Sequence, residues 1–387
     1  MGLGIQTKCL YGSREIIEKE RNKHFGAVSY PIYQSATFAH PCVGGSMGYD
    51  YSRLQNPTRE HLEEIVAQLE HGADCIALSS GMAAVALVME LFEPQDRIIA
   101  DSDLYGGSIR LFDNVSAKNK IFIDYADTSG VSSYERLEAL VTENTKAVFI
   151  ETPSNPMMKV TDIAAISEFA KKHGLLLIVD NTFLSPYLQN PIDLGADIVI
   201  NSGTKFICGH NDTLAGFVIS AGNDIAERLR FLIKTVGSAL APMDAWLVLR
   251  GLKTLGIRMD RQLENTEKIV EWLKSCDFIT KINYPGLESH PGHEICRRQA
   301  RGFGCMLSFE TDTPERAKKI LSKVRLIHFA ESLGGVETLI TYPVTQTHAD
   351  VSEEARLKNG ITDRLLRLSV GIEDICDLLE DLKQACS

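Results

Sequence analysis

Between residues 75 and 220 the sequence keeps switching between two periods. Short apolar runs recur: CIAL (75–78), RIIA (97–100), KIFIDY (120–125), KAVFI (146–150), LLLIVD (175–180), ADIVI (196–200) and GFVIS (216–220). Each is continuous rather than alternating in polarity, the pattern of a strand buried on both faces. Between most of them lie stretches with helical spacing: GMAAVALVMELF (81–92), SSYERLEALVTE (132–143) and IAAISEFAKKHG (163–174). Gly174 stands where a helix C-cap is needed before the next strand. Strands that alternate with helices predict an α/β fold with a mostly parallel sheet, covered by helices on both faces.

The flanks read differently. Residues 1–55 are rich in turn formers and predict an extended arm. Residues 56–250 contain the alternating pattern, including the start of a long helical stretch at about 224–274. Beyond it, short strand candidates (CMLSFE, 305–310; LITY, 339–342; LLRLSV, 365–370) mix with helices and end in IEDICDLLEDLKQAC (372–386). Residues 251–387 therefore predict a smaller α+β domain.

Composition removes several function classes. Basic residues number 40 against 51 acidic ones, a net charge of −11, so no global field favours a nucleic acid. None of the nine cysteines forms a C-x-x-C pair, which argues for buried reduced thiols rather than a zinc or redox motif. His290 and His293 lack a third ligand at metal spacing, so no metal is expected. No apolar run reaches the roughly 18 residues of a membrane helix, and no secretory signal opens the chain. The expectation is a soluble, cytoplasmic protein. A small anionic ligand then needs a local positive site.

Ligands of open α/β sheets bind beyond the carboxyl ends of the strands. After CIAL come Ser79-Ser80-Gly81-Met82. This is either an ordinary small-residue turn or a phosphate cup at a helix N-terminus. It is neither a Walker A loop nor G-x-G-x-x-G, so nucleotide readings lose support. Asp180 closes an apolar strand, where an acid is costly unless it caps the next turn or meets a buried cation such as a pyridinium. Lys205 follows ADIVI within NSGTKF (201–206). It either reaches solvent or lies desolvated, with a lowered pKa and a nucleophilic amine. Ser202 and Thr204 flank it with hydroxyls. Phosphate cup, buried acid and activated lysine at one sheet edge are together the demands of pyridoxal 5'-phosphate.

The chain resembles the Cys/Met-metabolism family of pyridoxal-phosphate enzymes, the transsulfuration enzymes, over nearly its whole length. The shared motifs are YPIYQSATF (30–38), YDYSRLQNPTR (49–59), SSGMAA (79–84), DLYGGS (103–108), ETPSNP (151–156), VDNTF (179–183), SGTKF with GHNDTLAG (202–216), LRGLKTLGIRM (249–259), ESLGGVETL (331–339) and RLSVGIED (367–374). The resemblance implies the aspartate-aminotransferase-like fold type I and a homotetramer built as a dimer of dimers. It implies that Lys205 holds the cofactor and shuttles the proton, and that Asp180 pairs with the ring nitrogen. Gly81, Met82, Ser202 and Thr204 then form the phosphate cup, while Tyr51 and Arg53 reach the neighbouring subunit's cofactor phosphate. Tyr105 stacks on the ring, Asn155 lies near its hydroxyl, and Arg367 grips the substrate α-carboxylate with Ser332 close by.

Two positions bear on the reaction. Glu331 resembles the glutamate that γ-synthases and γ-lyases of cystathionine carry before Ser-Leu-Gly-Gly, where an enterobacterial type of β-lyase has tyrosine. Its plainer reading is a surface acid or a helix cap. Gly107 stands where methionine γ-lyases usually carry cysteine. Phe206, Asn201, Cys208, Leu54-Gln55 and Val344-Thr345-Gln346 depart from the commoner family residues and bear on substrate choice. The expected activity is γ-replacement on an O-acyl-homoserine with cysteine. The alternatives are cleavage of cystathionine by a γ-lyase or β-lyase and, more remotely, an inactive member acting as a binding protein.

Overall fold

The computed structural model describes residues 2–130, 133–349 and 351–387. The larger sheet holds β1 (Asp74–Leu78), β2 (Arg97–Asp101), β3 (Phe122–Ala126), β4 (Thr145–Glu151), β5 (Leu176–Asp180), β6 (Ile198–Asn201) and β7 (Gly216–Ser220). Their order is β1-β7-β6-β5-β4-β2-β3. Strand β7 runs antiparallel to both its neighbours, and β2 to β6 pair in parallel. The mostly parallel sheet is therefore as expected.

Burial explains why these strands read as unbroken apolar runs. Side chains of one strand alternate between faces. Val148, Ile150, Leu177, Val179 and Val199 enter one core, while Ala147, Phe149, Ile178, Ile198 and Ile200 enter the other. Helices Pro57–Glu70 and Ile163–His173 cover the first face, and Gly81–Met89 and Asn223–Val236 the second. Gly174 ends its helix in the left-handed region (φ +65°), as a C-cap glycine should.

A second sheet carries β8 (Ile279–Asn283), β9 (Met306–Thr311), β10 (His328–Phe329), β11 (Leu339–Thr341) and β12 (Leu365–Ser369), ordered β10-β11-β12-β9-β8. Helix Leu255–Lys274 joins the two units. Its Leu255 and Met259 pack in the first core, and its Ile269, Val270 and Leu273 in the core of the small sheet. Among the described residues, no helix is long and apolar enough to cross a membrane.

Several local expectations need correction. KIFIDY is not buried on both faces: β3 is the edge strand, and its Phe122 and Tyr125 are exposed. Residues 1–55 are not extended throughout, because Ile5–Tyr11 and Arg14–Glu20 are helical and bury Cys9 and Ile16 against the chain's own core. From residue 27 to 56 the arm is irregular, with one bridge between Thr37 and Tyr51. The helix sought at 132–143 spans Ser133–Glu138, and Ser132 lies outside the described residues. Strands β8 and β10 were not anticipated, since β8 is a half-exposed edge with polar residues and β10 is two residues long. The cysteines are all free thiols, yet Cys42 and Cys376 are exposed rather than buried.

Candidate active site

The carboxyl ends of β4, β5 and β6 meet the centre of the small sheet, and the chemistry-bearing residues gather there. Lys205 follows β6 and is partly buried. Its Nζ donates to Ser332 Oγ at 2.9 Å instead of reaching solvent. Burial, with the Arg367 cation nearby, lowers the amine to about 8; the Glu331 carboxylate opposes that shift. Ser332 has φ +86°, a conformation that L residues avoid. Next to it, Gly334 lies so close to the lysine that a Cβ there meets Phe206 N at 2.6 Å. The ESLGG turn is thus pressed against the backbone of Lys205.

Arg367, on β12, is 1% exposed. It donates to Asn155 Oδ1 (2.9 Å), the Ser332 carbonyl (2.8 Å) and Thr341 Oγ1 (3.1 Å), and its Nε is buried with no partner. Among the described residues it makes no ion pair. Burial pulls it down to about 10. A buried cation with only neutral partners is a poor structural element and a strong receptor for an anion. Asn155 is held in turn by its loop: Ser154 bonds the buried Asp103.

Asp180 ends β5 and is buried. Its Oδ1 accepts from Thr182 N (3.0 Å) and Thr182 Oγ1 (2.5 Å), so it does cap the following turn. Its other oxygen makes no hydrogen bond among the described residues. Burial raises the carboxyl, partly offset by Thr182. A cation at the free oxygen offsets that cost.

The helix Gly81–Met89 is capped by Ser80, whose side chain accepts from Ala83 N at 3.1 Å. The Gly81 and Met82 N–H groups precede the first possible intrahelical acceptor, as at any helix start. A Cβ on Gly81 meets Ser202 Cβ at 2.8 Å, so only glycine lets the two cup segments approach. The Ser202 hydroxyl makes no hydrogen bond among the described residues. Thr204 differs: its hydroxyl donates to Ala215 O (3.2 Å) and accepts from Ala215 N (3.0 Å). Tyr105 is exposed (38%) at the start of helix Gly106–Leu111. A Cβ on Gly107 meets the Tyr105 ring at 2.4 Å and Met82 Sδ at 3.1 Å, so a larger residue there displaces the tyrosine.

Tyr51 and Arg53 stand apart. Both are exposed, and the guanidinium carbon lies 5.5 Å from the Tyr51 ring centre. Neither side chain makes a hydrogen bond or an ion pair among the described residues. Glu331 is also exposed and unpaired among them, yet close enough to act on Lys205 and Arg367. Cys208 is buried, donates to Asp212, and is pushed up to about 12, so it is a packing thiol.

Sequence reasoning passed over several residues here. Glu151 and Asp101 end β4 and β2 as Asp180 ends β5. The rule that singled out Asp180 applies to both. Thr341 and the buried His348, lowered to about 4 mainly by burial, carried no sequence signal.

The residues fit pyridoxal 5'-phosphate: a glycine-floored cup, a buried acid with one free oxygen, and a lysine lowered toward neutrality. Fold and site together define a pyridoxal-phosphate-dependent enzyme of fold type I. The chain belongs to the Cys/Met metabolism PLP-dependent enzyme family, which it matches over residues 14–387. It is 47% identical over 360 residues to a cystathionine γ-lyase of Bacillus subtilis, covering 93% of this chain and 94% of the relative. A cystathionine β-lyase of Lactococcus lactis is 46% identical, with 98% of each chain covered. A cystathionine γ-synthase of Haemophilus influenzae is also 46% identical, over 93% of each. The solved cystathionine γ-synthase of Xanthomonas oryzae in complex with cystathionine superposes with a TM-score of 0.95 at 40% identity, over 100% of this chain and 98% of that one.

Proposed function

We propose that the chain performs γ-replacement, joining cysteine to an O-acyl-homoserine to give cystathionine. One juxtaposition carries the reading. Around the Lys205–Ser332 pair stand a buried cation, Arg367, and an exposed carboxylate, Glu331, neither of which has an ion-pair partner among the described residues. An amino acid with an α-carboxylate at one end and an ammonium at the other matches both, and cystathionine has that pattern.

Bound pyridoxal phosphate supplies an electron sink for charge that develops next to the substrate nitrogen. The chain's residues do the rest. Arg367 fixes the α-carboxylate with its fork. Lys205 Nζ takes and returns the proton at Cα, oriented by Ser332 Oγ. Asp180 keeps a negative charge at the ring nitrogen, and Tyr105 covers the ring face. Gly81, Met82, Ser202 and Thr204 hold the phosphate. Asn155 couples the ring hydroxyl's side of the site to Arg367.

The reading extends to assembly. Residues 1–55 form an arm whose Tyr51 and Arg53 serve a neighbouring subunit's cofactor, 56–250 hold the cofactor, and 251–387 supply the substrate side. The working unit is a cytoplasmic homotetramer, a dimer of dimers.

A second reading is cleavage of cystathionine. Glu331 receives the distal ammonium equally well when cystathionine is the substrate, and the γ-lyase and β-lyase relatives are as similar as the γ-synthase. Product analysis separates them. The purified protein is given cystathionine alone, then O-acetyl-, O-succinyl- and O-phospho-homoserine each with cysteine. Cystathionine from an ester supports replacement. 2-Oxobutyrate from cystathionine supports the γ-lyase, and pyruvate the β-lyase. A protein with no visible cofactor band and no product is the inactive binding member.

A further inference from the structure

ETPSNP opens with a residue that the reaction above does not use. Glu151 is the last residue of β4 and lies in register with Asp180 on β5. Registered neighbours on adjacent strands share a face of the sheet, so the two carboxyls stand side by side. Glu151 is 4% exposed and has no ion pair among the described residues. Its Oε2 accepts the backbone N–H of Tyr105 at 2.8 Å. That bond holds the start of helix Gly106–Leu111, where the Tyr105 ring emerges.

We propose that Glu151 is a positioning residue: in its neutral form its carboxyl holds the Tyr105 backbone in place and leaves the negative charge beside the cofactor ring to Asp180 alone. Two buried carboxyls side by side do not both ionise cheaply. The hydrogen bonds break the tie. Asp180 accepts two, from Thr182 N and Oγ1, whereas Glu151 accepts one. Most of the other charged or titratable groups facing Glu151 point the same way. Asp101 and Asp103, at and after the end of β2, repel a second negative charge, and Arg367 on β12 is the cation that opposes them. Burial comes first, then Asp180, and together they hold Glu151 well above the usual carboxylate range. A neutral carboxyl still offers its carbonyl oxygen to the Tyr105 amide, so the contact survives protonation.

The inference rests on pyridoxal phosphate lying at Asp180 and not on which reaction follows. Its test therefore reads cofactor binding rather than products. The protein is stripped of pyridoxal phosphate, and its affinity for the cofactor is measured by equilibrium titration for wild type and three variants. Glu151→Gln keeps the carbonyl and removes the charge; Glu151→Met keeps the bulk and removes the acceptor. Glu151→Asp withdraws the carboxyl from the Tyr105 amide. Expected is binding about tenfold weaker for Met and for Asp, with Gln restoring it to within about threefold of wild type. If Gln falls as far as Met, the negative charge of Glu151 is required and the proposal is overturned. If Met and Asp both bind as wild type does, the Tyr105 contact has no role and it is overturned again. Should the Met variant fail to fold, judged by its thermal midpoint, the Gln and Asp pair decides by the same rule.

Discussion

Lys205 and Arg367 show how burial makes ordinary side chains reactive. The lysine lies below its usual 10.5, at about 8, because its charged form loses water and faces Arg367. Only the neutral amine attacks a carbonyl. The rate at which stripped protein takes up pyridoxal phosphate should therefore rise with pH until about 8 and level off above it, followed by absorbance after rapid mixing. A rate that keeps climbing above pH 8 toward the usual lysine value of 10.5 removes the desolvation argument. Lys205→Ala should lose turnover and the visible band of the lysine-held cofactor together. Arg367→Ala should lower kcat/KM for α-amino acids on the order of 10²–10³-fold, mainly through KM, and Arg367→Lys should restore little because the fork is lost. An unchanged KM moves the carboxylate site elsewhere. Lys205 and Asp180 were legible because a charged residue at the end of an apolar strand is costly without a purpose. Ser332 was not legible on that ground: its bond to Lys205 spans 127 residues, and no local pattern signals it.

At the level of elements, the periods predicted the strands of the large sheet, its edge strand β1 included, and overstated burial only at the other edge. The five central strands (β2, β4 to β7) were readable because both faces are packed. Strand β3 looked the same in sequence but lies at the rim, where Phe122 and Tyr125 stay exposed. Helix Leu255–Lys274, about 30 Å long at 1.5 Å per residue, passes from one core to the other. The boundary drawn at residue 250 therefore falls just before an element shared by both units. Gly334 links element geometry to the site. Its φ of +77° and its approach to Phe206 N leave no space for a methyl group. Gly334→Ala should destabilise the protein by roughly 2–4 kcal/mol and weaken cofactor binding, since Lys205 is what gets displaced. A thermal midpoint equal to wild type at matched protein concentration contradicts this.

For the molecule as a whole, the unpaired side chains at opposite places are the informative ones. Arg53 is exposed and has no ion pair among the described residues, although the chain carries a net charge of −11. If it completes a neighbour's site, two defective chains can repair one another. Arg53→Ala and Lys205→Ala should each be nearly inactive, while a randomised mixture should recover about a quarter of the wild-type sites, because half the dimers are mixed and each holds one intact site. No recovery, with mixed dimers verified by mass, places Arg53 in its own chain's site or in none.

The sequence by itself determined the α/β architecture, the strand ends at which charged residues stand, and the motif set that places the chain in its family. These are local matters: a period, a cap, a charged residue after an apolar run. Only the tertiary structure decided that Ser332 receives the Lys205 proton donor, that Arg367 is buried among neutral partners, and that Glu151 lies beside Asp180. Those depend on strand order and on a second sheet packing over the first, and the free energy of a buried charge depends on whatever distant segments happen to surround it.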